Sequence, residues 1–234
     1  MKRIIKISLI LLLVGMAVIA AVPFLKEKRA EKKYENDFKK IQESVTEKKS
    51  DVNGLVKKNK DCIGYVEISG TTISYPVMQT KDNPDFYLNH DFNRNYSFYG
   101  TPYLSAYCDV EKSDNLIIYG HNINGGKMFG ALEQYKDKEF FYKHRKIYFT
   151  TDKKREYEVF AVMSVNIHEF EYWKFVMARD EKEYDEFVDK VEEHSLWRQG
   201  NKPKYGEQML MLSTCDNGKG DDWRIVLIAK CVYS

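Results

Sequence analysis

The amino-acid sequence predicts a mainly β domain, an eight-stranded barrel or sandwich. Eight short runs rich in β-branched and aromatic residues lie between residues 63 and 232, divided by Gly, Asn, Asp and Ser turn chemistry. Near the C-terminus, Met209, Leu210, Met211 and Leu212 are continuously apolar, as a strand buried on both faces requires. Helical periodicity is confined to a few segments, the clearest at residues 181–197, where Tyr184, Phe187, Val188, Val191 and Leu196 share one face.

In chain order, Lys2, Arg3 and Lys6 precede a stretch from Ile7 to Val22 with nothing more polar than Ser8 and Gly15. With Pro23, Phe24 and Leu25 the apolar run reaches 19 residues. A membrane span needs about 20 residues, and a signal-peptide core has about 7 to 15. Val18 and Ala20 offer a small-residue cleavage pattern, but the length favours an uncleaved signal anchor over residues 1–25. The expectation is therefore a single pass through the cell membrane with the bulk of the chain outside. Residues 26–60 form a charged helical extension in which Tyr34, Phe38, Ile41 and Val45 make one stripe. Asn53 and Gly54 break it, and Leu55 and Val56 suggest a short second helix.

The domain proper is expected over residues 61–234. Its strands are predicted at 63–69, 73–79, 101–107, 115–122, 146–152 and 157–167, then in the run from Met209 to just before Cys215, and at 223–232. A helical interruption at 127–135 follows the fourth strand, and the helix at 181–197 separates the sixth strand from the seventh. Residues 216–222, with Gly218 and Gly220, are turn chemistry, so the last two strands form a hairpin with Cys215 at its mouth.

At 43% apolar residues, the 234-residue chain has enough for a real core. Its net charge of +2 belongs to the front: residues 1–33 carry +6, which leaves about −4 for residues 34–234. The folded part therefore gives no reason to expect nucleic acid. Cys62, Cys108, Cys215 and Cys231 are far apart with no CxxC, so no metal site, dithiol redox motif or other cofactor is expected. Cys62, Cys108 and Cys231 read as buried small apolar residues, with disulfide pairing among them left open.

Cysteine chemistry needs a thiolate and a group that lowers the cost of charging it. Of five histidines, His90, His144, His168 and His194 stand in polar or helical surroundings. His121, in the segment YGHN at the end of the apolar NLIIY run, sits at the mouth of a strand as Cys215 does. Arg224 opens the return strand across the turn from Cys215, and its planar donor fork suits a carbonyl oxygen developing negative charge. Asp216 points to the opposite face if the strand continues, which gives it no catalytic role. Ordinary thiol and imidazole groups, near ~8.5 and ~6.5, hold thiolate and imidazolium together in only about 1% of molecules near neutral pH. The pair thus implies a bell-shaped pH profile.

LSTC at residues 212–215, Arg224 nine residues on and the YGH histidine at His121 together resemble the sortases, cysteine transpeptidases of Gram-positive bacteria, over residues 61–233. The helical extension and the helix-bearing insertion between the sixth and seventh strands resemble class B; the lid and C-terminal membrane segment of class C are lacking. The resemblance implies a sortase-type β-barrel in which Cys215, His121 and Arg224 are catalytic. It also implies that Asn83, Leu88 and Ser213 line the substrate groove, with Tyr172, Trp173 and Phe175 of the insertion as its walls. The implied partners are surface proteins with a C-terminal sorting signal of NPxTx, SPxTG or LPxTG type, an amine of a peptidoglycan precursor, and the membrane. A papain-like protease places cysteine before histidine, an L,D-transpeptidase needs a Ser-His-Gly-Cys signature, and a tethered ligand-binding domain leaves the three residues unrelated. A pilin-polymerising sortase is the nearer alternative.

Overall fold

The computed structural model describes residues 52–233 and, nearer the N-terminus, helical residues 15–16, 19, 21–26, 28–29, 32–33, 35–36 and 39. The chain divides into two compact units, Met1–Lys49 and Ser50–Ser234. The single-pass membrane anchor expected over residues 1–25 is corrected here: among the described residues, no helix is long and apolar enough to cross a membrane. Residues 1–14 of that expectation, and the Tyr34, Phe38, Ile41 and Val45 stripe, lie outside the described residues.

The second unit opens with helix α1 (Val52–Lys58). Asn53 and Gly54, expected to break a helix, lie inside it, because Val52 and Leu55 are buried and α1 packs against β1 (Cys62–Ile68). Packing of these two side chains outweighs the poor helix propensity of their neighbours. The barrel strands follow as β1, β2 (Ser74–Met78), β3 (Tyr103–Leu104) and β4 (Asn115–Tyr119). Two-residue strands β5 (Asn122–Ile123) and β6 (Lys127–Met128) form a separate small hairpin. A 3₁₀ helix (Phe129–Lys136) occupies the predicted helical interruption, followed by α2 (Lys138–Lys143). Then come β7 (Lys146–Thr150), β8 (Lys154–Asn166), α3 (Glu181–Glu193), β9 (Ser195–Arg198), β10 (Met209–Cys215) and β11 (Trp223–Tyr233).

The strands run in the order β11-β10-β4-β3-β2-β1-β7-β8, and a β11–β8 ladder closes the circle into an eight-stranded barrel. Closure pairs every barrel strand on both sides, which leaves little edge for aggregation. Residues 209–212, 116–118, 225–229 and 159–163 are all buried. The continuous apolar runs follow from cover on the outside as well, since the 3₁₀ helix packs on β10 and β11.

The strand β8 is longer than its neighbour: β7 pairs with its first residues, from Lys154 to Glu158, and β9 takes the same side further on, with Ala161 facing Arg198 and Val162 facing Trp197. This corrects the helix expected over 181–197. Asp180 caps α3 by accepting from the Glu183 amide, Tyr184, Phe187, Val188 and Val191 face inward, and the helix ends at Glu193. Beyond it, Ser195 to Arg198 alternate between half-buried and exposed, a period of two, and they satisfy the unpaired side of β8. Leu196 is therefore an exposed strand residue rather than part of the helical face.

Candidate active site

The register of three ladders brings the site together. β10 runs parallel to β4, the last pair being Ser213 with Tyr119, so both chains leave the sheet at the same rim. Two residues beyond Tyr119 is His121, and two beyond Ser213 is Cys215. β11 is antiparallel to β10 with Arg224 directly opposite Cys215. Parallel neighbours share an end, and a hairpin returns to it, so the topology alone collects cysteine, histidine and arginine at one mouth of the barrel.

Side chains and backbone extend these ladders past their ends. The Gly120 amide donates to the Ser213 carbonyl at 3.1 Å, and the Thr214 hydroxyl donates to the Gly120 carbonyl at 2.7 Å. Asn122 Nδ2 donates at 2.7 Å to the Cys215 carbonyl and at 2.7 Å to Glu133 Oε1. The residues flanking His121 are thus fastened on both sides to the segment that carries the thiol. Gly120 is required by close approach: a Cβ there would stand 2.8 Å from the Phe129 ring.

His121, Cys215 and Arg224 line one cavity of about 580 Å³, together with Leu88, Ser213 and Trp173. Cys215 is half-buried, whereas Cys62 is buried and burial pushes its thiol up to about 12, partly offset by the Gly64 backbone. Cys108 is also buried, Cys231 is half-buried rather than fully enclosed, and the four cysteines form no disulfide with one another. His121 Nε2 lies 2.8 Å from the Leu88 carbonyl oxygen. A carbonyl only accepts, so that bond assigns the proton to Nε2 and leaves Nδ1 as the atom available for proton exchange. The Phe98 ring, 69% exposed, lies parallel to the imidazole with centroids 6.4 Å apart. Arg224 Nη1 donates to the carbonyls of Asp221 and Trp223 in its own turn.

The remaining groups expected in the groove separate. The Tyr172 hydroxyl is 2.7 Å from Ser213 Oγ, and burial, against the Ser213 bond, pushes its phenol up to about 12, so it is a neutral hydrogen-bonding group. Burial raises the Tyr103 and Tyr119 phenols of the same cavity as well. Asn83 is exposed and is not among the lining residues, although Pro84, Asp85 and Leu88 are. Phe175 stacks on Phe187 at 3.8 Å and is a packing residue under α3.

Asp216 is fully buried and absent from the cavity lining. Its carboxylate accepts from Lys136 Nζ at 2.6 Å, from Ser164 Oγ at 2.6 Å and from the Gly218 amide at 3.2 Å. Nothing in the sequence signals this ion pair, whose members are 80 residues apart. Asn122 carries a weak signal, its place directly after His121, but its reach to the Cys215 backbone follows only from the β4–β10 pairing.

The fold and the thiol-bearing rim define a cysteine transpeptidase, and the chain belongs to the sortase family: a family model described as the sortase domain matches residues 66–232. Its relatives are class B enzymes. Sortase B of Listeria monocytogenes serovar 1/2a is 32% identical over 189 residues, covering 80% of this chain and 76% of that one. Sortase B of Staphylococcus aureus is 29% identical over 242 residues, covering 99% and 98%. The solved Staphylococcus aureus sortase B–substrate complex superposes with a TM-score of 0.79 at 26% identity, over 87% of this chain and 98% of that one.

Proposed function

We propose that the enzyme cleaves a C-terminal sorting signal after its threonine through a thioacyl intermediate on Cys215 and passes the acyl group to an amine of a peptidoglycan precursor. The observation that carries this reading is the convergence of Cys215, His121 and Arg224 on one cavity through the parallel β4–β10 ladder and the opposed Cys215–Arg224 pair. The Cys215 thiolate attacks the threonine carbonyl carbon, forming a C–S bond and moving the carbonyl electron pair onto oxygen. Arg224, which lines the same cavity, stabilises that oxyanion with the guanidinium donors that its own turn does not occupy. Collapse breaks the C–N bond, and the departing amine takes a proton from the His121 imidazolium. The incoming amine then returns a proton to the imidazole, attacks the thioester carbon and releases the thiolate.

Leu88, Ser213 and Trp173 form the walls against which the signal lies, with Tyr172 fixing the Ser213 hydroxyl. The Staphylococcus aureus sortase B to which this chain is similar has been solved as a substrate complex, which supports a substrate-binding role for the fold. The test is cleavage of a panel of NPxTx, SPxTG and LPxTG pentapeptides. One member is cleaved, hydroxylamine raises product release by capturing the acyl group, and Cys215→Ala, His121→Ala and Arg224→Ala each abolish turnover. Undiminished cleavage by Cys215→Ala would refute the assignment.

A further inference from the structure

Resting on His121 as the acid–base group, we propose that Asp61 and Tyr87 are positioning residues for it: the segment joining α1 to β1 clasps the loop whose Leu88 carbonyl holds the imidazole. Tyr87 has no exposed surface, and its hydroxyl is a convergence point. It donates to Asp61 Oδ2 at 2.8 Å and accepts from Asn59 Nδ2 at 2.8 Å. Asn59 Nδ2 also donates to the Phe92 carbonyl at 2.6 Å, and Arg94 pairs with Asp61. Both ends of the loop after residue 86 are therefore tied to residues 59–61. The next residue along the chain is Leu88, and its carbonyl is the acceptor for His121 Nε2.

The local backbone does not supply this rigidity by itself. Phe86–Leu88 is a single 3₁₀ turn with no side-chain cap, a form that needs tertiary support. The carbonyl is also hemmed in from a second direction. At Gly100, with φ +59°, a Cβ would stand 2.4 Å from the Leu88 oxygen and 2.7 Å from the Tyr87 oxygen, so only glycine leaves the carbonyl in place. An acceptor fixed on both sides selects the Nε2–H tautomer and dedicates Nδ1 to proton transfer. Loosening it lets the imidazole turn or exchange tautomers, which lowers the fraction of enzyme ready to protonate the leaving amine.

The experiment uses the full chain with ¹⁵N-labelled histidine, reading the His121 tautomer by NMR alongside kcat and KM for the cleaved pentapeptide. Tyr87→Phe is the central variant, because Asp61 keeps Arg94 and Asn59 keeps Phe92, so no group is left without a partner. It is expected to mix the tautomers and to lower kcat by about 3- to 10-fold, the scale of one hydrogen bond, with KM within about twofold. Asp61→Ala behaves likewise, and Asp61→Asn, which keeps an acceptor for the phenol, recovers most of the rate. Gly100→Ala displaces the same carbonyl from the other side and gives the same tautomer change. A single Nε2–H tautomer in Tyr87→Phe overturns the inference, as does a mixed tautomer with unchanged kcat. Failure of the parent reading is distinct: His121→Ala then cleaves at the wild-type rate whatever the tautomer does.

Discussion

Replacing Lys136 by Met isolates what the ion pair behind the nucleophile contributes. Lys136 Nζ lies 2.6 Å from Asp216 and 2.7 Å from Glu133, and the Lys136 side chain is 32% exposed while that of Asp216 is 0%. Removing one partner of a buried pair costs about 3–5 kcal/mol. Asp216 keeps the Ser164 and Gly218 donors, so the expected loss is at the lower end, about 3 kcal/mol, or a fall in Tm of about 6–12 °C. Burial pushes the Asp216 carboxyl up, but the Lys136 ammonium and the Ser164 hydroxyl outweigh it and hold the group below its ordinary range. A depressed carboxyl stabilises the fold above the unfolded value near ~3.9, and that contribution is lost as pH falls through the lower folded value. On the other partner, burial lowers the Lys136 ammonium, but its bonds to Asp216 and Glu133 prevail and raise it, so its share is lost only as pH rises through that raised value. Thermal unfolding of both proteins followed by circular dichroism should show a constant gap from mildly acidic to mildly alkaline pH that closes below about 4. A gap that is absent at pH 7, or that persists unchanged in acid, would refute the reasoning.

Three further perturbations bear on the rim and its support. Thr214→Val removes the donor to the Gly120 carbonyl and should cost about 1–3 kcal/mol in chemical denaturation, with kcat falling because the His121 segment loses one of its fastenings to β10. Tyr172→Phe leaves the Ser213 hydroxyl without its 2.7 Å partner; a several-fold rise in KM with near-normal kcat is expected from steady-state cleavage. Gly130→Ala drives a Cβ to 2.3 Å from the Ile123 carbonyl and should destabilise the 3₁₀ helix that backs β10, by about 1–3 kcal/mol in the same unfolding assay.

The strands were legible because each carries its own signature: the apolar runs at 115–119 and 209–212 are short, β-prone and flanked by turns. Cys215 and Arg224 were legible as a pair because a hairpin is a local structure. The small strand β9 was not, since Leu196 fits a helical stripe and only the unpaired side of β8 decides otherwise. The ion pair of Lys136 with Asp216 and the clasp on Tyr87 were equally hidden, because each joins residues tens of positions apart whose types are ordinary on a surface. The N-terminal apolar run shows the opposite error, in which composition alone predicts a spanning segment that the described helix does not supply.

The parallel pairing of β4 with β10 joins stretches more than ninety residues apart and is flanked on either side by strands that must already be in register. Contacts this distant close late, after local hairpins have formed, and they make folding slow. A half-folded chain therefore exposes a thiol with no imidazole beside it. Peptide cleavage should appear only with the last cooperative step of folding, so recovery of activity reports completion of the barrel rather than its beginnings.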